Sequence, residues 1–118
     1  MRRLDARNLR AALWALRALK AARGDPTRNP ARSPSLPRVP RLDAGARRGV
    51  EAVLQRRAAT CLERATVLQA WYAEQGQRRD VVIGVTAPKT GFRAHAWLDG
   101  DPPCHAEGFH ELLRRPYS

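Results

Sequence analysis

The sequence predicts an α+β fold, with helices first and a small antiparallel sheet after them. Three observations carry that expectation. Apolar residues recur at helical spacing through residue 75. From Val81 the pattern changes to a β-rich run and then to strict alternation. Between the first helix and the rest lies a stretch with five prolines in residues 24–42. At 118 residues the chain has room for one modest core and not for a large cofactor domain. The expected division is a basic N-terminal helical arm at 1–23, a Pro-rich linker at 24–42 and one domain at 43–118.

The first helix is expected over residues 4–23, where Leu9, Leu13 and Leu16 follow i, i+4, i+7 with Trp14 beside them and alanines between. Gly24-Asp25-Pro26 stops it. Its stripe is thin, so alone it would be marginal and it needs a partner surface. The prolines of 24–42 favour an extended, semi-rigid segment or a disordered one. A second helix at 46–58 turns Val50, Val53 and Leu54 to one side. Thr60 then serves as N-cap of a third helix, with Glu63 at the capping-box position. That helix runs from Cys61 to about Gln75, with Leu62, Ala65, Leu68 and Trp71 on one side, and ends at Gly76. Val81–Val85 reads as a buried strand, and Ala87–Gly91 as a turn. From Phe92 to Leu98, Phe92, Ala94, Ala96 and Leu98 fall on one face and Arg93, His95 and Trp97 on the other. The two runs make an antiparallel hairpin. Glu107–Arg115 reads as a last short helix ended by Pro116.

Charge is the strongest compositional feature. Lys and Arg number 22 against 11 Asp and Glu, a net charge of +11, and all of the excess falls in residues 1–60. Such a half implies an acidic partner: nucleic acid, anionic lipid or an acidic protein segment. No apolar run is long enough to span a bilayer, and the run Ala11–Leu16 is cut by Arg17 and Lys20, unlike a signal peptide. Two cysteines, Cys61 and Cys104, are too few for a disulfide framework, and free thiols in a reducing cytoplasm are expected. Cys104, His105 and His110 lack the spacing of a metal site, and no metal is expected.

The chemistry-bearing pair is Cys61 at a helix start and His95 in a strand. A helix N-terminus favours the thiolate, and a histidine in hydrogen-bond reach would complete an activated nucleophile. First-turn N–H groups would donate to an oxyanion. The plain alternative is a small buried thiol and an ordinary strand histidine, and spacing alone favours it.

The ordered set Thr60-Cys61-Leu62-Glu63-Arg64-Ala65, Val67-Leu68-Gln69, Gly76, Val82-Ile83-Gly84-Val85 and Phe92-Arg93-Ala94-His95-Ala96-Trp97 resembles the leader peptidase of lasso peptide biosynthesis, a family of the transglutaminase-like, papain-like cysteine protease superfamily. The similarity covers about half the chain, residues 46–105. It implies a minimal core in which a Cys-bearing helix packs on a small sheet, and an enzyme that cuts the leader from a ribosomally made precursor peptide. The resemblance makes Cys61 the nucleophile and His95 the general base, with no cofactor. The family's third member, an acidic residue about a dozen positions after the histidine, falls on Glu107; Asp101 is the second candidate. Implied partners are the precursor, a leader-recognition protein and an ATP-dependent lasso cyclase.

Three rival readings stand beside this one. A nucleic-acid-binding protein fits the charge, but the aromatics do not interleave with the arginines, and a helix-turn-helix at 46–75 would turn at Ala59-Thr60 without a glycine. A catalytically inactive leader-binding scaffold of the same fold is the second. An acyl-transfer enzyme using the same pair is the third, because hydrolysis and transfer share one thioester.

Overall fold

A computed structural model describes residues 6–24, 34–86, 91 and 93–117. Its elements are α1 (Ala6–Arg23), a 3-10 turn at Ala44–Ala46, α2 (Arg47–Arg56), α3 (Cys61–Glu74), β1 (Val81–Thr86), β2 (Ala94–Leu98), a 3-10 turn at Pro103–His105 and β3 (Phe109–Arg115). The α+β expectation holds: three helices pack together and α3 lies against one three-stranded antiparallel sheet of order β2-β1-β3. Both neighbours of β1 run antiparallel to it.

The alanines of α1 let other helices come close. Ala11, Ala15 and Ala18 are buried, and Trp14 and Leu19 fill the core beside them. Where α2 crosses α1, a Cβ on Gly49 would sit 2.2 Å from the Asn8 carbonyl oxygen, so only glycine fits. The Gly49 N–H donates to Asn8 Oδ1 at 3.2 Å across the same crossing. Trp14 meets Trp71 of α3 with ring centroids 5.9 Å apart. The segment set apart by sequence as an arm thus supplies part of the main core.

Residues 34–42 strap this core without regular structure. Val39 is buried in it, Trp14 Nε1 donates to the Pro37 carbonyl at 3.0 Å, and Gln75 Nε2 to the Leu42 carbonyl at 2.9 Å. The part of the linker at 25–33 lies outside the described residues.

The turn from α2 to α3 forms without glycine. Ala58 adopts a left-handed φ of 50°, while the Ala59 N–H donates to the Leu54 carbonyl. Thr60 then caps α3 as its sequence suggests. Its Oγ1 accepts from the Glu63 N–H at 3.2 Å and Glu63 Oε1 accepts from the Thr60 N–H at 2.9 Å. Arg23, at the end of α1, holds the same Glu63 carboxylate at 3.1 Å and donates to the Arg57 carbonyl at 2.8 Å.

Two buried polar residues fix α3 on the sheet. Gln69 Nε2 donates to the carbonyls of Arg79 and Arg115, each at 2.9 Å. The Arg115 guanidinium donates to Thr66 Oγ1 at 2.7 Å, and burial holds its pKa below the usual arginine value.

The last helix expected over Glu107–Arg115 is a strand instead. The run is rich in helix formers, but its free backbone pairs with β1 from Thr86↔Phe109 to Val81↔Arg115. Sheet pairing outweighs a propensity worth a few tenths of a kcal/mol per residue. A bulge between Ile83 and Gly84 shifts the register, skips Leu112 and leaves it 64% exposed.

Candidate active site

Cys61 is the first residue of α3, a half-buried free thiol packed at the margin of the core. Its position follows from the capping box, which fixes the backbone entering the helix. The cap uses the Glu63 N–H, and other first-turn N–H groups have no intrahelical acceptor.

His95 sits in the middle of β2, directly opposite Gly84. Ala96 and Leu98 of β2, with Val81 and Ile83 of β1, turn into the core under the helices. By the period of two, His95 and Trp97 share the other face with Gly84 and Val82. There the His95 ring lies 5.7 Å from Trp97 and 5.1 Å from Phe109, and the two indole and phenyl rings are 6.3 Å apart. A Cβ on Gly84 would come within 2.8 Å of the Trp97 ring and 2.9 Å of the His110 carbonyl oxygen. The glycine is therefore the floor on which Trp97 lies. Phe92, expected on the opposite face, is outside the described residues.

The acidic candidates separate clearly. Asp101 folds back at the end of β2, where its Oδ2 accepts from the Leu98 N–H at 3.0 Å and stands 3.5 Å from His105 Nδ1. Its charge acts on His95, raising the imidazole's affinity for a proton. Burial and His105 act in the opposite sense, and the net result holds His95 below the ordinary histidine value. Glu107 is exposed and has no hydrogen bond or ion pair among the described residues. Asp99 points to Arg114 at 3.1 Å, not to the imidazole. Asp101 is thus the candidate whose charge acts on His95, though its own partners are the Leu98 N–H and His105, and neither Asp101 nor Glu107 is hydrogen-bonded to the imidazole among the described residues.

Packing of α3 on β2 brings the Cys-bearing helix and the His-bearing strand together as elements. It does not join their side chains: no hydrogen bond links Cys61 to His95 among the described residues. Among the described residues β2 is an outer strand, and none of the described strands flanks His95 on that side. The Cys104 side chain lies outside those described. Among the described residues no group of three or more His, Cys, Asp or Glu is placed to hold a metal ion.

Sequence reasoning missed Phe109, His105 and the reason for Gly84. Gly108 before and Pro116 after a seven-residue run are strand boundaries, and reading them so puts Phe109 on a strand.

This arrangement defines a class. A family model described as the transglutaminase-like superfamily matches residues 2–114, almost the whole chain. The chain belongs to that superfamily, which includes cysteine proteases. The match takes in α1 and the strap as well as the Cys helix and the sheet. Comparison with curated proteins and with solved structures gave no significant match.

Proposed function

We propose that the protein is a cysteine peptidase that removes the leader from a ribosomally synthesised precursor in lasso peptide biosynthesis. The observation that carries this reading is Cys61 at the capped N-terminus of α3, on a helix packed against the strand of His95, in a chain of the transglutaminase-like superfamily. Cys61 Sγ attacks the scissile carbonyl carbon while His95 takes the thiol proton. First-turn N–H groups of α3 donate to the oxyanion. The C–N bond breaks as His95 returns the proton to the leaving amine. Water then adds to the thioester, releasing the acid and restoring the thiol.

The depressed basicity of His95 supports the base role, because the imidazole stays neutral near pH 7. Asp101 is proposed as the orienting acid because its charge acts on His95, with Glu107 the other candidate. For proton transfer the imidazole must come within about 3.2 Å of Sγ; His95 lies on the sheet face turned from the helices, so the reading requires β2 or the start of α3 to rearrange before the pair can meet. The proposed partners are the precursor, a leader-recognition protein and an ATP-dependent cyclase that acts on the freed core. Cytoplasmic location belongs to the same proposal; among the described residues no helix is long and apolar enough to cross a membrane.

Mass spectrometry of a precursor incubated with the protein and the recognition protein tests this. Wild type should release the leader, Cys61→Ala should release none while keeping its fold, and Cys104→Ser should cut at nearly the wild-type rate. Equal release by wild type and Cys61→Ala would sink the reading. Leader binding without release in either would favour the inactive scaffold.

A further inference from the structure

A groove runs between the outer side of α1 and the strap. Arg10, Leu13, Trp14 and Arg17 line one wall at i, i+3, i+4, i+7, and Pro37, Arg38 and Pro40 line the other, around about 230 Å³. The Trp14 Nε1 bond to the Pro37 carbonyl ties the walls together, so the groove is formed in advance. Its middle is apolar and its rim carries three guanidinium groups. Arg7, Arg23, Arg41 and Arg64 all hold carboxylates of this chain. Arg10, Arg17 and Arg38 are exposed and have no hydrogen bond or ion pair among the described residues. Leu13 is 49% exposed in the groove and Leu9, one turn earlier, is 53% exposed. Half-exposed leucines between unpaired cations offer a surface that water covers poorly.

We propose that this groove docks an acidic, leucine-bearing segment of a second protein. Charge complementarity selects the occupant: carboxylates meet the three arginines while leucines cover Leu13 and the prolines. A net charge of +11 sets a second copy of this chain against the groove. Nucleic acid would use the arginines but not the apolar middle. Trp14 has no free face for a base, since it is buried against Trp71 with its N–H committed to Pro37. The inference goes beyond the peptidase reading. It is measured by binding with Cys61 intact, so either can fail alone.

Fluorescence anisotropy tests it with a labelled peptide of about 15 residues, rich in Glu and Asp, with leucines at i, i+4 and i+7. Controls are the same peptide with serine for leucine and a labelled DNA duplex, all at about 0.15 M salt. The acidic leucine peptide should bind, and the serine version and the duplex should bind more weakly. Joint Arg10→Glu, Arg17→Glu and Arg38→Glu should weaken the peptide about tenfold or more. Leu13→Ser, a change at a half-exposed position, should weaken it with the charges untouched and with an unchanged circular dichroism spectrum. No peptide binding, equal binding of the serine peptide or the duplex, or insensitivity to both variants would overturn the proposal.

Discussion

His95 carries opposing influences that can be separated one side chain at a time. Burial and His105 disfavour its protonated form, and Asp101 favours it, with the net shift downward. A base with a lowered pKa stays neutral to lower pH, so the acid limb of kcat/KM should have its midpoint below the ordinary histidine value. His105→Ala removes a lowering influence and should move the midpoint up. Asp101→Asn removes the raising one and should move it down, whatever it does to the maximum rate. The pH profile of peptide cleavage for the three proteins reads this directly. Shifts of both variants in one direction, or a wild-type limb above the ordinary value, would exclude His95 as the titrating base. A role for Asp101 confined to the turn after β2 would change rate or stability and leave the midpoint in place.

At the scale of elements, β1 and β2 are coupled through one close approach. Gly84→Ala puts a methyl group within 2.8 Å of the Trp97 ring and 2.9 Å of a backbone oxygen. The indole must leave its place, and the His95 ring stacked on it loses that wall. Overpacking of this kind costs about 1–3 kcal/mol, and kcat/KM should fall with it. Adding Trp97→Phe to Gly84→Ala frees space and should restore part of the stability, a non-additive result that thermal melts would show. The same elements show what the sequence carries and what it does not. Thr60 and Glu63 lie within one helical turn, so the cap and the place of Cys61 are legible locally. The alternation through His95 and Trp97 is equally local. Phe109–Arg115 is not, because Leu112-Leu113 and the surrounding Glu and Arg satisfy helical preference, and only pairing with β1, far back in the chain, makes them a strand. The fold-back of Asp101 rests on a turn that closes through the Leu98 backbone, which register counting from the histidine cannot see.

The standing of α1 is decided only by the whole molecule. Read alone, its thin stripe and the prolines after it suggest a tethered arm. In the folded chain it supplies Ala11, Trp14, Ala15, Ala18 and Leu19 to the common core, crosses α2 at Gly49 and anchors the α2–α3 turn through Arg23. Those contacts distinguish two outcomes of removing residues 1–23. An arm on a tether would come away and leave the melting of 24–118 unchanged. A core helix would not: Trp14 and Leu19 alone represent about 5 kcal/mol or more of burial and packing, against about 5–15 kcal/mol for a whole small domain. The truncated chain should therefore lose its cooperative thermal transition, followed by near-ultraviolet circular dichroism, where Trp71 no longer has Trp14 beside it. Trp14→Ala in the full chain should lower stability by about 3–5 kcal/mol and leave the transition cooperative. A truncated chain that melts like the full one would restore α1 to an accessory arm. It would also move the nucleophile's support wholly onto the Thr60–Glu63 cap and the Gln69 bonds to the sheet.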